Sequence, residues 1–97
     1  MELRELQRLV DDFVRRMGWY EPGSPHPQTP RNLAISLALE SAEVLEHFQW
    51  SEEAPREVLA SELADLANYL LQMAHLLGID LERAVLDKLE CNRGRNW

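Results

Sequence analysis

Leu37-Ala38-Leu39-Glu40-Ser41-Ala42-Glu43-Val44-Leu45 and, further along, Ser61-Glu62-Leu63-Ala64-Asp65-Leu66-Ala67-Asn68-Tyr69-Leu70 decide how this chain is read. Each stretch carries two carboxylates three positions apart, and on a helix that spacing puts both on one face. Apolar residues flank both pairs. Carboxylates among apolar neighbours cost free energy unless positive charge compensates. No Lys or Arg lies between Arg31 and Arg56, or between Arg56 and Arg83. A hard divalent cation held by oxygen ligands is the natural compensator.

At 100° per residue, Ser36, Glu40, Glu43 and His47 fall within a wedge of about 60°. Leu33, Ile35, Leu37, Leu39, Val44, Leu45 and Phe48 cover most of the rest, which predicts a largely buried helix with a narrow acidic seam. In the later stretch Glu62, Asp65 and Tyr69 share a stripe with Val58, Leu66, Met73 and Leu76. Glu46, Glu52, Glu53, Glu57, Glu82 and Glu90 read as surface charge.

Outward from these stretches, Leu3, Leu6, Val10, Phe13 and Met17 alternate steps of three and four. They predict an amphipathic helix with Arg4, Arg8, Asp11 and Arg15 outside, stopped by Gly18. Residues 21–30 hold four of the five prolines and form a loop long enough to be functional. Thr29-Pro30 marks a helix start and Arg31–His47 the helix. After an acidic break at Ser51–Pro55, a third helix runs from Arg56 to Leu77 and stops at Gly78. Asp80 caps a fourth over Leu81–Asn92. No segment alternates with the period of a strand. The expected fold is all-α, a four-helix bundle.

The 97 residues make one small domain, and a chain this size gains from oligomerisation. A net charge of -7 argues against a nucleic-acid polymer as partner, which needs a basic stripe. A single cysteine, Cys91, excludes an internal disulfide framework and fits a reducing cytoplasm. The first ten residues are charged and amphipathic, unlike a signal peptide, and no apolar run approaches membrane-spanning length.

The donor set selects the metal. Di-iron bundles use Glu-x-x-His, but Val44 and Gln72 stand three before His47 and His75. Zinc sites want clustered Cys or His. Four carboxylates suit magnesium or manganese, which bridge protein carboxylates and substrate phosphates. Without a Gly-rich phosphate loop, phosphates would be held through metal and side chains. His47 shares the acidic seam and is either a partner to it or a surface residue; His75 reads as structural.

Glu40-x-x-Glu43 followed by Glu62-x-x-Asp65 resembles the signature of the all-α nucleoside triphosphate pyrophosphohydrolases, the MazG-like superfamily, and within it the dCTP pyrophosphatase branch. Pro30-Arg31-Asn32-Leu33, Phe48-Gln49-Trp50, Ala64-Asp65 with Tyr69, and Lys88 to Asn92 followed by Arg95 share that likeness, over about residues 28–96. The resemblance implies a homo-dimer or homo-tetramer that cleaves a nucleoside triphosphate between its α and β phosphates. It implies magnesium on Glu40, Glu43, Glu62 and Asp65. It also implies a base stacked on Trp50, with Tyr69 and Asn92 near the nucleotide; Trp50 as a plain core residue is the competing reading. Lys88, Arg93 and Arg95 could meet phosphates or complement a helix end. Trp19 is matched to a further pocket aromatic only with a gap. Gln28 replaces the His that relatives carry before Pro-Arg-Asn, His26 lies nearby, and the ending Arg95-Asn96-Trp97 differs, all of which bears on substrate choice. Two alternatives stand beside this: a non-catalytic helical dimerisation module with a structural ion, and a phosphoribosyl-ATP pyrophosphatase.

Overall fold

The computed structural model describes residues 1–94. Four helices occupy them: α1 Leu3–Met17, α2 Pro30–Glu46, α3 Arg56–Leu76 and α4 Leu81–Arg93. There is no strand among the described residues, and no helix is long and apolar enough to cross a membrane.

The helix boundaries follow local chemistry. The Thr29 hydroxyl accepts from the Asn32 amide at 3.2 Å, with Pro30 in the first turn. The Asp80 carboxylate accepts from the Arg83 amide at 3.2 Å. Both satisfy amides that a helix start leaves unpaired. At the other ends, Gly18 (φ 73°) and Gly78 (φ 68°) take the left-handed conformation. Trp19 N then donates to Val14 O at 3.2 Å and Ile79 N to Ala74 O at 2.8 Å, closing the same C-terminal turn twice.

α3 is the central element: α2 packs on one side of it and α1 on another, while α4 rests on α1. Among the described residues, only Val14, Leu33, Leu71 and Ala74 form the fully buried apolar core. The expectation that α2 is largely buried does not hold within one chain. It meets only α3 closely, and Leu39 and Leu45 lie 64% and 71% exposed. The radius of gyration, 15.6 Å, exceeds the roughly 12.5 Å expected of a compact chain of this length. The four helices form an open array, not a closed bundle.

α1 corrects the sequence reading in a second way. Asp11 is 3% exposed, and the buried face is Gln7, Asp11 and Val14, while Leu6, Phe13 and Met17 are exposed. Apolar residues border α1 on more than one side, so periodicity alone does not choose the inner face. Polar contacts choose it. Gln7 Nε2 donates to Ile79 O at 3.0 Å, pinning α1 to the turn after α3. Arg15 Nε donates to Asp11 Oδ2 at 2.7 Å, and His75 Nε2 lies 3.2 Å from the same oxygen. His75 is therefore structural, as its sequence context suggested.

The Arg15 guanidinium lies over the Tyr20 ring at 5.2 Å. Burial, then the negative charge of Asp11, pushes the Tyr20 phenol up to about 12. A phenol held neutral by folding contributes stability that is whole below its unfolded value near 10 and is lost as pH rises through 12. Denaturant midpoints measured between pH 9 and 12 should decline over that range, and Tyr20→Phe should flatten the decline. An ultraviolet titration in which Tyr20→Phe removes no late-titrating phenol would contradict this placement.

Candidate active site

α2 and α3 lie side by side, and their pairing brings the two acidic pairs together. Glu40 and Glu62 are half-buried; Glu43 and Asp65, each three residues on, reach solvent. Their mutual influence appears in the proton affinity of Glu40. Burial first, then contact with Glu43 and the charges of Glu43, Asp65 and Glu62, raise it above the ordinary carboxylate range. Tyr69 responds to the same field: burial, then the charges of Glu40, Asp65 and Glu43, raise its phenol.

His47 supplies the contact that the sequence left open. Its Nε2 lies 3.0 Å from Glu62 Oε1, joining the C-terminal cap of α2 to the middle of the acidic stretch of α3. The other oxygen of Glu62 and the Oε2 of Glu40 are buried without a hydrogen-bond partner. Buried carboxylate oxygens are seldom left unpaired. Two such atoms beside two more carboxylates form an all-oxygen donor set that suits a hard divalent cation. Among the described residues, no group of three or more His, Cys, Asp or Glu side chains is placed close enough to hold a metal ion. The residues fit the group in donor type, charge and unpaired oxygens.

Tyr69 also joins the acids to open space. A cleft of about 440 Å³ between α1, α3 and the Trp19–Gln28 segment is lined by Phe13, Trp19, Gln28, Asp65, Tyr69 and Gln72. A second, of about 500 Å³, lies under the proline-rich loop beside Asn32, Ile35 and Ser36, with Gln28 and Tyr69 common to both. These volumes fall within the roughly 300–1,000 Å³ typical of small-molecule sites. The loop is held in place as well as long: Gln28 N donates to Trp19 O at 2.8 Å, and Asn32 Nδ2 donates to Pro27 O at 2.8 Å. Trp19 stands edge-to-face on Phe13 at 5.5 Å.

The other sequence-chosen residues lie apart. Trp50 is 90% exposed in the single chain and lines none of the clefts described. Lys88 is exposed and Asn92 half-buried on α4, which rests on α1; neither lines the clefts at Tyr69. Arg95 lies outside the described residues. Conversely, Phe13, Gln28 and Gln72 line the main cleft without having been chosen. Gln28 carried a signal, its place before Pro-Arg-Asn, whereas nothing in the pattern marked Gln72.

Over the described residues the chain is all-α, with its paired carboxylates on two helices packed side by side. The chain belongs to the MazG-like family, whose sequence profile matches residues 35–95. It is 34% identical to dCTP pyrophosphatase 1 of Homo sapiens and of Rattus norvegicus, over 96% of this chain and 58% of theirs. The chain thus spans little more than half the length of these curated relatives. A solved pyrophosphatase from Archaeoglobus fulgidus is similar in structure, with a TM-score of 0.71 and 34% identity over 91% of this chain and 85% of that one.

Like charges crowded without a counterion destabilise the fold, and a ligand selective for the folded state stabilises it. Glu43→Gln should therefore raise the metal-free melting temperature slightly and abolish most of the rise produced by magnesium or manganese in the parent. A parent melting curve indifferent to millimolar magnesium would sink the assignment.

Proposed function

We propose that this chain is a metal-dependent nucleoside triphosphate pyrophosphohydrolase, releasing a nucleoside monophosphate and pyrophosphate. The observation that carries the reading is the convergence of Glu40, Glu43, Glu62 and Asp65, two with unpaired buried oxygens, where Asp65 also lines a cleft walled by Tyr69. The names of the relatives, dCTP pyrophosphatase 1 and pyrophosphatase, support the same chemistry. The four acids would hold magnesium, or manganese in its place. A cation there supplies positive charge against the triphosphate and Lewis acidity toward the phosphate being attacked.

The chain's own residues have separable tasks. His47 fixes the orientation of Glu62 through its 3.0 Å contact. Glu43 and Asp65, on the solvent side of each pair, face arriving phosphates. Asp65 belongs both to the acidic group and to the cleft wall, so it marks where phosphate and nucleoside ends meet. Tyr69 and Trp19 offer aromatic surface to the nucleoside. A deoxycytidine nucleotide is the substrate suggested by the relatives' names.

Assembly belongs to the same proposal. Leu39, Leu45, Phe48 and Trp50 leave large apolar side chains uncovered on α2 and just after it, and contiguous apolar patches mark interaction sites. A second copy would cover it, giving a homo-dimer or homo-tetramer, and Trp50, Lys88 and Asn92 would meet a nucleotide only across that interface. Sedimentation at micromolar concentration should show no stable monomer.

The functional test is a screen of nucleoside triphosphates with magnesium that distinguishes pyrophosphate from orthophosphate. Pyrophosphate should appear, and Asp65→Asn should depress turnover of every substrate by roughly a hundred-fold or more, as loss of metal-held transition-state stabilisation does. Release of orthophosphate alone, or a folded Asp65→Asn that remains fully active, would overturn the reading.

A further inference from the structure

We infer that Gln72, assisted by Gln28, is the specificity-determining residue of the cleft and recognises the exocyclic amino group of a nucleobase; the inference rests on the nucleotide reading above. Gln72 lies three residues after Tyr69 and seven after Asp65, so it continues their face of α3 by further turns. It is 4% exposed, and its Oε1 is buried with no hydrogen-bond partner. Gln28, across the same cleft, also has a buried, unpaired Oε1. An orphaned buried carbonyl carries an uncompensated desolvation penalty. Here two occur in one cleft, beside aromatic walls.

The chemistry of the two orphans states what is missing. Both are acceptors, so the complementary ligand brings donors. Both belong to neutral amides, which favour a neutral polar edge over a phosphate. Phe13, Trp19 and Tyr69 supply aromatic faces, and a flat heterocycle stacks on such faces while its edge is read by hydrogen bonds. An exocyclic amino group has two N–H donors, one for each oxygen. Each oxygen sits behind the cleft wall, and rotation about the last side-chain torsion, whose wells are broad, carries it to the ligand. A base with a carbonyl at that position, as in thymine or uracil, can be met only by the amide nitrogens, and both Oε1 atoms then stay buried and unpaired. Discrimination by such a site exceeds what apolar fit achieves, because the wrong base strands buried polar groups.

Gln72→Met keeps the side-chain length and removes the amide. The parent should prefer dCTP to dTTP, and the variant should narrow that preference about ten-fold, with the loss falling mainly in KM for dCTP. Its melting temperature in the absence of nucleotide should hold or rise, since an unpaired buried oxygen has been deleted. A residue serving only the fold would give the opposite pair of results: lower stability and an unchanged base ranking. Gln28→Met should narrow the preference in the same direction. Melting shifts produced by dCMP and dTMP, which carry the bases without a triphosphate, separate this inference from the activity. A larger shift with dCMP that Gln72→Met abolishes upholds it even if no triphosphate is hydrolysed. Equal shifts with dCMP and dTMP in the parent, or an unaltered dCTP-to-dTTP ratio in a folded Gln72→Met, overturn it.

Discussion

Repulsion among four carboxylates organises this molecule. Glu40, Glu43, Glu62 and Asp65 stand on two helices that pack together through apolar residues, and the packing holds the charges closer than water would leave them. The proton affinity of Glu40 is raised by burial first and by its acidic neighbours after that. The contact of His47 with Glu62 relieves part of the repulsion inside the chain. The remainder stays as unpaired oxygen atoms on Glu40 and Glu62. Stability is given up at this point, and the long α2–α3 contact offsets it.

A second polar centre has the opposite character. Asp11 is more deeply buried than any of the four acids, yet Arg15 and His75 both reach it. It joins α1 to α3, and Tyr20 packs beside it. The acids between α2 and α3 have one imidazole, His47, for a partner; the acid between α1 and α3 has a guanidinium and an imidazole on one oxygen, although its Oδ1 is also buried without a partner. The two centres thus differ in the partners that meet their carboxylates.

The helix boundaries were legible because local rules set them. Thr29-Pro30, Asp80, Gly18 and Gly78 each act within a few residues, and all four perform the capping or stopping role their sequence context indicated. The acidic seam was legible for the same reason, since a three-residue spacing is a local fact. The orientation of α1 was not. Its apolar residues border more than one side, and Gln7 and Asp11 turn inward only because Ile79 O and His75, more than sixty positions away, await them. The exposure of α2 was hidden similarly: an apolar helix face states that it will be covered, not by which chain. Gln72 had no signature, because a Gln among Leu, Met and Ala gives no periodic signal.

The closure of the proline-rich loop bears on how such a protein diversifies. Gln28 N bonded to Trp19 O ties the loop at its neck, so residues between can be added or removed while α1 and α2 keep their places. Loop-closure entropy rises only slowly with length. The helices that carry the acids are under a different constraint, since a one-residue shift would rotate a carboxylate by about 100° away from its partners. One part of the chain is free to drift and the other is held in register. Selection can therefore retune what enters the cleft over evolutionary time without reopening the question of what happens to it there.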